Sequence, residues 1–179
     1  MDIVKSLFFT ETLRQWHFEA LVQESGMSRE RVASALKMLI KKKYIRRVKP
    51  RGHMPYYLAQ RDEPRFREEK RLYGLHLLTK SGLFSHLSTC PKIKTAILFG
   101  SFARGDWSKS SDVDLFLYGD DSAFDKALYE AKLGRAIQVF SFREPQAVQK
   151  ELDPAVICNI VKGITLTESF EPFTVSVQA

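Results

Sequence analysis

Two aspartates, Asp112 and Asp114, stand two residues apart where the apolar run "VDLFLY" begins, and a Gly100-Ser101 pair closes an earlier apolar run, "IKTAILF". Alternation along a strand puts both carboxylates on one face, with Val113, Leu115 and Leu117 on the other. Carboxylates held this close repel unless a cation lies between them. Such oxygen ligands suit Mg2+, which holds one or two carboxylates and takes its remaining ligands from phosphate and water. Gly100 lets the backbone come close to a ligand, and Ser101 offers a hydroxyl and an amide. A helix opening at 101 or 102 would turn its free N–H groups toward an anion, and Arg104 adds positive charge to the same place. The chemistry these parts describe is the holding of a nucleoside triphosphate (NTP). Gly100, Ser101 and Arg104 would lie on its phosphates, with Asp112 and Asp114 on its metal as the catalytic pair.

The elements that must position these residues can be read around them. Residues 93–99 and 113–118 form two strands, and "AIQVFSF" within 132–142 forms a third. Helices are expected over 122–134, with Phe124, Leu128 and Leu133 inward, and over 143–152 and 154–163, before a short strand at 164–169. Cys158, between Ile157 and Ile160, is expected to be buried. Trp107 lies on the polar loop after Gly100-Ser101, where it either packs locally or stacks on a bound base. Together these elements make a small mixed sheet with helices on one face.

"GSFARGD…SDVDLFL" resembles the signature of the polymerase-beta-type nucleotidyltransferase superfamily, especially its small members. The resemblance implies that Gly100 and Ser101 hold the triphosphate, that Asp112 and Asp114 bind divalent ions, and that Arg104 matches a basic position of the motif. It also implies a third acid on a later strand, in a stretch similar to "LGRxVDLV". Here "KLGRAIQVFSF" aligns through Leu133-Gly134-Arg135, and Gln138 stands where the acid belongs. Glutamine can offer a weak oxygen ligand but cannot act as a base near neutral pH. Asp120, Asp121 and Glu144 are the acids near enough in sequence to substitute.

The chain carries a net charge of +7, and all of the excess lies in residues 1–60, since 61–179 is neutral. Within that basic third, 3–9 and 17–26 read as helices and Ser28 as the cap of a third, "RERVASALKMLIKKK", with Val32, Leu36, Leu39 and Ile40 as its buried stripe. Two Tyr/Ile/Val strands around "KPRGHMP" follow as a hairpin. Helix-turn-helix plus basic hairpin resembles a winged-helix DNA-binding domain. That resemblance turns Arg29, Arg31, Ser34, Lys37 and Lys41 of the third helix, and Arg47, Lys49, Arg51 and His53 of the wing, toward double-stranded DNA. The same domain could instead serve dimerisation or protein docking.

A long helix from Pro64 to Lys80, with Phe66, Leu72, Leu75 and Leu78 apolar, joins the two parts; its charge-dense first half is expected to be exposed and its apolar second half to pack on the following domain. The expected organisation is a winged helix at 1–60, a linker helix region at 61–89 and an α+β nucleotidyltransferase-like domain with a small mixed sheet at 90–179. Two cysteines, Cys90 and Cys158, give neither a disulfide scaffold nor a zinc spacing, and no apolar stretch is long enough to span a bilayer. With no basic leader in "MDIVKSLFFTETL", a cytoplasmic location and no membrane partner are expected. Two functions fit. One is a Mg2+-dependent enzyme moving a nucleoside monophosphate from an NTP to a hydroxyl, with a DNA-binding first domain. The other is a catalytically weak or inactive regulator that senses nucleotide or dimerises. A homodimer and a separate protein partner are both compatible with the residues.

Overall fold

The computed structural model describes residues 3–173. The chain divides into two compact units, the first ending at Tyr73 and the second beginning at Gly74.

In the first unit, α1 (Ile3–Thr10), α2 (Phe18–Ser25) and α3 (Arg29–Lys41) precede a hairpin of β1 (Ile45–Val48) and β2 (Tyr56–Ala59). Ser28 caps α3 by accepting the Arg31 N–H at 3.4 Å. The buried stripe of α3 is Val32, Ala35, Leu36 and Leu39. Ile40, expected in that stripe, is exposed. One residue beyond Leu39 is about 100° further round the helix, which carries Ile40 off the core. The hairpin strands are antiparallel, with Ile45 opposite Ala59 and Val48 opposite Tyr56. Trp16 adds a third, one-residue strand by exchanging both backbone hydrogen bonds with Tyr57 (3.0 and 2.8 Å). Its ring is fully buried, edge-on to Phe8, under the Arg14 guanidinium. Three helices with a strand residue between the first two, closed by a hairpin, are winged-helix-like.

α4 spans Pro64–Lys80, the bounds expected from sequence, and the division between units falls inside it. Phe66 and Leu78 are buried, but Leu72 is exposed, contrary to expectation. The inward position one turn after Phe66 belongs to Lys70, whose ammonium donates to the Thr12 hydroxyl at 2.7 Å. Leu72 is two residues further on and so points to the opposite side.

The second unit continues with α5 (Leu83–Thr89), β3 (Ile93–Phe99), α6 (Gly100–Arg104), β4 (Val113–Gly119), α7 (Lys126–Leu133), β5 (Ile137–Phe142), α8 (Pro145–Glu151), α9 (Pro154–Val161) and β6 (Ile164–Thr165). The sheet order is β5-β4-β3-β6. β3 pairs antiparallel with β4 and β6, while β4 and β5 are parallel, so the sheet is mixed. On one face Ile97, Phe99, Phe116 and Tyr118 pack with Val148 of α8 and Ile160 of α9. Leu98, Leu115 and Leu117, which alternate with them, are equally buried. Both faces are therefore covered, and the expectation of helices on one face is corrected.

Three further expectations change for similar reasons of helix phase and strand pairing. Cys158 is exposed, because Val156 and Ile160, one turn apart, carry the inward face of α9. Leu128 is exposed and Tyr129 buried instead, between His86 and Phe124. The last strand stops at Thr165, after which the Thr167 hydroxyl, not a backbone carbonyl, accepts the Ala96 N–H at 3.1 Å.

The turn from α9 into β6 depends on close approach at Gly163. A Cβ there would lie 2.5 Å from the Leu98 carbonyl oxygen and 2.8 Å from that of Ile160. Neither backbone atom can swing aside. Gly163→Ala should lower unfolding free energy by about 1–3 kcal/mol, read as a lower urea midpoint at unchanged slope. An unshifted midpoint would show that the turn tolerates a side chain.

Candidate functional site

β3 and β4 run antiparallel with Phe99 opposite Asp114, so the end of one strand meets the start of the other. The chain leaves β3 through Gly100 at φ 67°, a left-handed conformation that few side chains tolerate. A second constraint acts at the same residue. A Cβ on Gly100 would fall onto the Asp114 carboxylate, 2.7 Å from its Cγ and 3.1 Å from its Cβ. Glycine here thus makes room for Asp114, whose carboxylate lies over the bare Cα. The Asp114 carboxylate also takes a hydrogen bond from the Ser101 backbone N–H. Burial, and then the neighbouring Asp112 charge, push its pKa above the ordinary 3.8, against the pull of Arg104 and the Ser101 amide. Asp112 is exposed one step before the strand, and Arg104 is exposed and paired with Asp106 at 3.1 Å. The structure thus brings Gly100, Ser101, Asp114, Asp112 and Arg104 to one strand end.

Arg135 secures the loop between these residues, a role that sequence reading missed. Its guanidinium donates to the carbonyls of Ser108 (3.2 Å) and Ser111 (2.8 Å), the latter immediately before Asp112. It also lies 5.0 Å from the Phe102 ring centre and 5.5 Å from that of Trp107. Trp107 itself is fully buried and stacked on Phe102, with centroids 5.0 Å apart and planes 8° from parallel. It is a packing residue, not a surface for a base. The Gly-Arg pair entering β5 was the available signal, but only the fold shows what the arginine reaches.

Gln138 sits opposite Asp114 in the parallel ladder of β4 and β5, side chains on one face. It occupies the third corner of the site, and it is neutral. The expected substitutes are far away. Asp120 and Asp121 follow the other end of β4, and Glu144 follows the same end of β5, so each is six or seven residues along. At about 3.3 Å per residue that is about 20 Å. Asp120 is moreover paired with Arg143 (2.8 Å) and Lys92 (3.4 Å). Among the described residues no group of three or more His, Cys, Asp or Glu side chains is placed to share a metal.

In the first unit all nine residues proposed for DNA are exposed. Ser34, Lys37 and Lys41 share the outward face of α3 opposite its buried stripe, as their spacing requires. Arg47 is on β1, and Lys49, Arg51 and His53 are on the hairpin tip. Arg29 is engaged elsewhere, paired with Glu19 and lying over the Phe18 ring.

A small mixed sheet in which Gly-Ser ends one strand and Asp-x-Asp opens its antiparallel neighbour has the nucleotidyltransferase superfamily fold. Residues 83–169, which hold every residue of the acidic site, match the family "Polymerase beta, Nucleotidyltransferase", and the chain carries a domain of that family. A stretch of 29 residues is 55% identical to a "Putative protein adenylyltransferase" of Methanocaldococcus jannaschii. That match takes in 16% of this chain and 29% of the relative, so the chain matches under a third of that protein's length. Among the described residues no helix is long and apolar enough to cross a membrane.

The raised pKa of Asp114 sets a pH dependence. The folded chain holds this proton more tightly than the unfolded chain. Its contribution is therefore most favourable below pH 3.8 and is lost as pH rises through the raised value. Asp114→Asn, neutral throughout, should melt at or above the wild-type temperature at pH 7, with the advantage closing as pH falls toward 4. A variant less stable at pH 7 would contradict burial and Asp112 as the causes.

Proposed function

We propose that this chain is a DNA-binding protein whose second unit binds an NTP with Mg2+ and transfers its nucleoside monophosphate, slowly, to a hydroxyl. The observation that carries the reading is Asp114, folded over Gly100 beside Asp112 with its proton affinity raised: a partly desolvated acidic pair that a cation would relieve. Two carboxylates beside a phosphate-sized turn are a donor set suited to Mg2+. Asp112 and Asp114 would hold it, and when bound it would neutralise phosphate charge. Ser101 and Arg104 would orient the phosphates. The likeness to an adenylyltransferase points to ATP as donor and a protein hydroxyl as acceptor.

In that transfer the acceptor oxygen bonds to the α-phosphorus, the bond to the bridging oxygen breaks, and pyrophosphate leaves. The hydroxyl proton must also depart. Gln138 cannot take it, so it goes to solvent and the step is slow. The register of Gln138 opposite Asp114 also favours a second reading, in which nucleotide is bound and sensed without transfer. Gln138→Asp tests the two together with α-labelled ATP and cell extract as the source of acceptors. Under the first reading wild type labels an acceptor and the variant does so about 10² times faster or more. Labelling by neither, with nucleotide still bound, leaves the sensor.

The DNA reading rests on the exposed basic face of α3 and the hairpin. Phosphate contacts by lysine and arginine release counterions, so affinity falls steeply with salt. Mixed duplex DNA should bind at 50 mM salt and weaken by about tenfold or more at 200 mM. Replacing Lys37 and Lys41 with alanine should flatten that dependence by about two phosphate contacts. Absence of binding at low salt would leave the first unit a docking or dimerisation module.

A further inference from the structure

The mixed sheet of the second unit ends on two edges of different kinds. At one, β6 is only two residues long, and the chain beyond it still covers β3, with the Leu166 N–H on the Ala96 carbonyl (2.8 Å) and the Thr167 hydroxyl on the Ala96 N–H. At the other lies β5, Ile137–Phe142. Edge strands are commonly guarded by charge, proline, a bulge or shortness. The six residues of β5, "IQVFSF", carry neither a charge nor a proline. The Val113 N–H donates to the Ala136 carbonyl (3.0 Å), which sets the phase of the ladder. Gln138, Phe140 and Phe142 turn their backbone groups toward β4, and Ile137, Val139 and Ser141 turn theirs outward. The Ile137 N–H is taken by the Glu130 carboxylate at 2.8 Å. The N–H and C=O groups of Val139 and Ser141 have no hydrogen-bond partner among the described residues.

We propose that β5 pairs antiparallel with β5 of a second copy of this chain, about a two-fold axis at Phe140. Such an axis keeps every residue on its own face, so it pairs only residues of the same alternation. Two registers retain most of the strand. Centred on Phe140, Val139 stands opposite the second copy's Ser141, and Ser141 opposite its Val139. Each of these pairs exchanges two hydrogen bonds, which uses every free group and leaves the Ile137 N–H on Glu130. Arg143 of the second copy arrives opposite Ile137, beside the Glu130 carboxylate, so opposite charges meet at both ends of the ladder. Centred on Val139 instead, the second copy's Ser141 needs the Ile137 N–H, which is already taken, and its Arg143 stands opposite Arg135, a like charge. Backbone groups and charge thus select one register, and the edge is complementary to itself. Gln138, which has Asp114 on one side, then has the second copy's Phe142 on the other, so the interface borders the acidic site.

Sedimentation equilibrium of the full chain tests this without DNA or nucleotide, and so independently of the proposed function. Reductant keeps the exposed Cys158 from cross-linking copies. A single strand pair makes an interface at the weak end, so a reversible dimer should build up between about 10 and 500 µM. Ser141→Pro removes the Ser141 N–H from both copies but no bond from the monomer, since that N–H points outward and proline is accepted on such an edge. It should raise the dissociation constant about tenfold or more. Arg143→Glu, at an exposed position, sets like charges against Glu130 and should raise it about fivefold or more. A chain that stays monomeric to the top of that range overturns the proposal and leaves the edge to a strand of another protein. A dimer that folded Ser141→Pro leaves unchanged lies on another surface and also overturns it. Should the proline variant not fold, an Arg143→Glu dimer as tight as wild type overturns it instead.

Discussion

The Asp114 carboxylate resting on the bare Cα of Gly100 is the contact on which the second unit's arrangement turns. It demands glycine twice, once for φ 67° and once for space. It also ties together three things that lie far apart in the chain. The antiparallel pairing of Phe99 with Asp114 brings the strand ends level. The left-handed step at Gly100 then turns the chain into α6 at once, aiming the Ser101 amide at the carboxylate. The acidic pair is thereby built beside the turn suited to phosphates. A side chain at 100 would separate the two halves of the site before any ligand arrived.

That contact concentrates negative charge where water is partly excluded, and the surroundings answer it only in part. Arg104 and the Ser101 amide pull the Asp114 pKa down, yet burial and Asp112 outweigh them. A site with a third carboxylate on β5 would be more strongly charged and would hold a second cation more firmly. Gln138 removes that charge at the register position nearest Asp114. In the proposed reading a neutral side chain here would both weaken cation binding and leave no base, while the Gly100-Ser101 turn stays as it is. Under the proposed function, that single neutral side chain would let nucleotide binding persist while transfer slows.

The parts of the structure governed by local rules were legible from sequence. Apolar runs marked β3 and β4, Ser28 was readable as a cap, and the bounds of α4 followed from composition and its flanking residues. The two-unit fold, with its winged-helix-like first part and mixed-sheet second part, followed from the order of those elements. The phase of short helices was harder to read. Ile40, Leu72, Leu128 and Cys158 are apolar and were assigned inward, yet each lies on the exposed side. An error of one residue rotates a helical face by about 100°, and only packing decides between neighbours such as Leu128 and Tyr129. In the site, residue types and spacing revealed the acidic pair, and the family resemblance pointed to Gln138. The Arg135 clamp and the burial of Trp107 depend on a loop folding back across α6, and no local signal carries that.

The central claim is that Asp112 and Asp114, set against Gly100 and Ser101, form a cation-dependent nucleotide site. The most direct measurement is calorimetric titration of ATP, with and without Mg2+, into wild type and an Asp112→Asn, Asp114→Asn double variant. Binding that requires Mg2+ in the wild type and is lost in the double variant is the predicted result. No binding by wild type, or equal binding by a folded double variant, would contradict it and leave the fold without a working site.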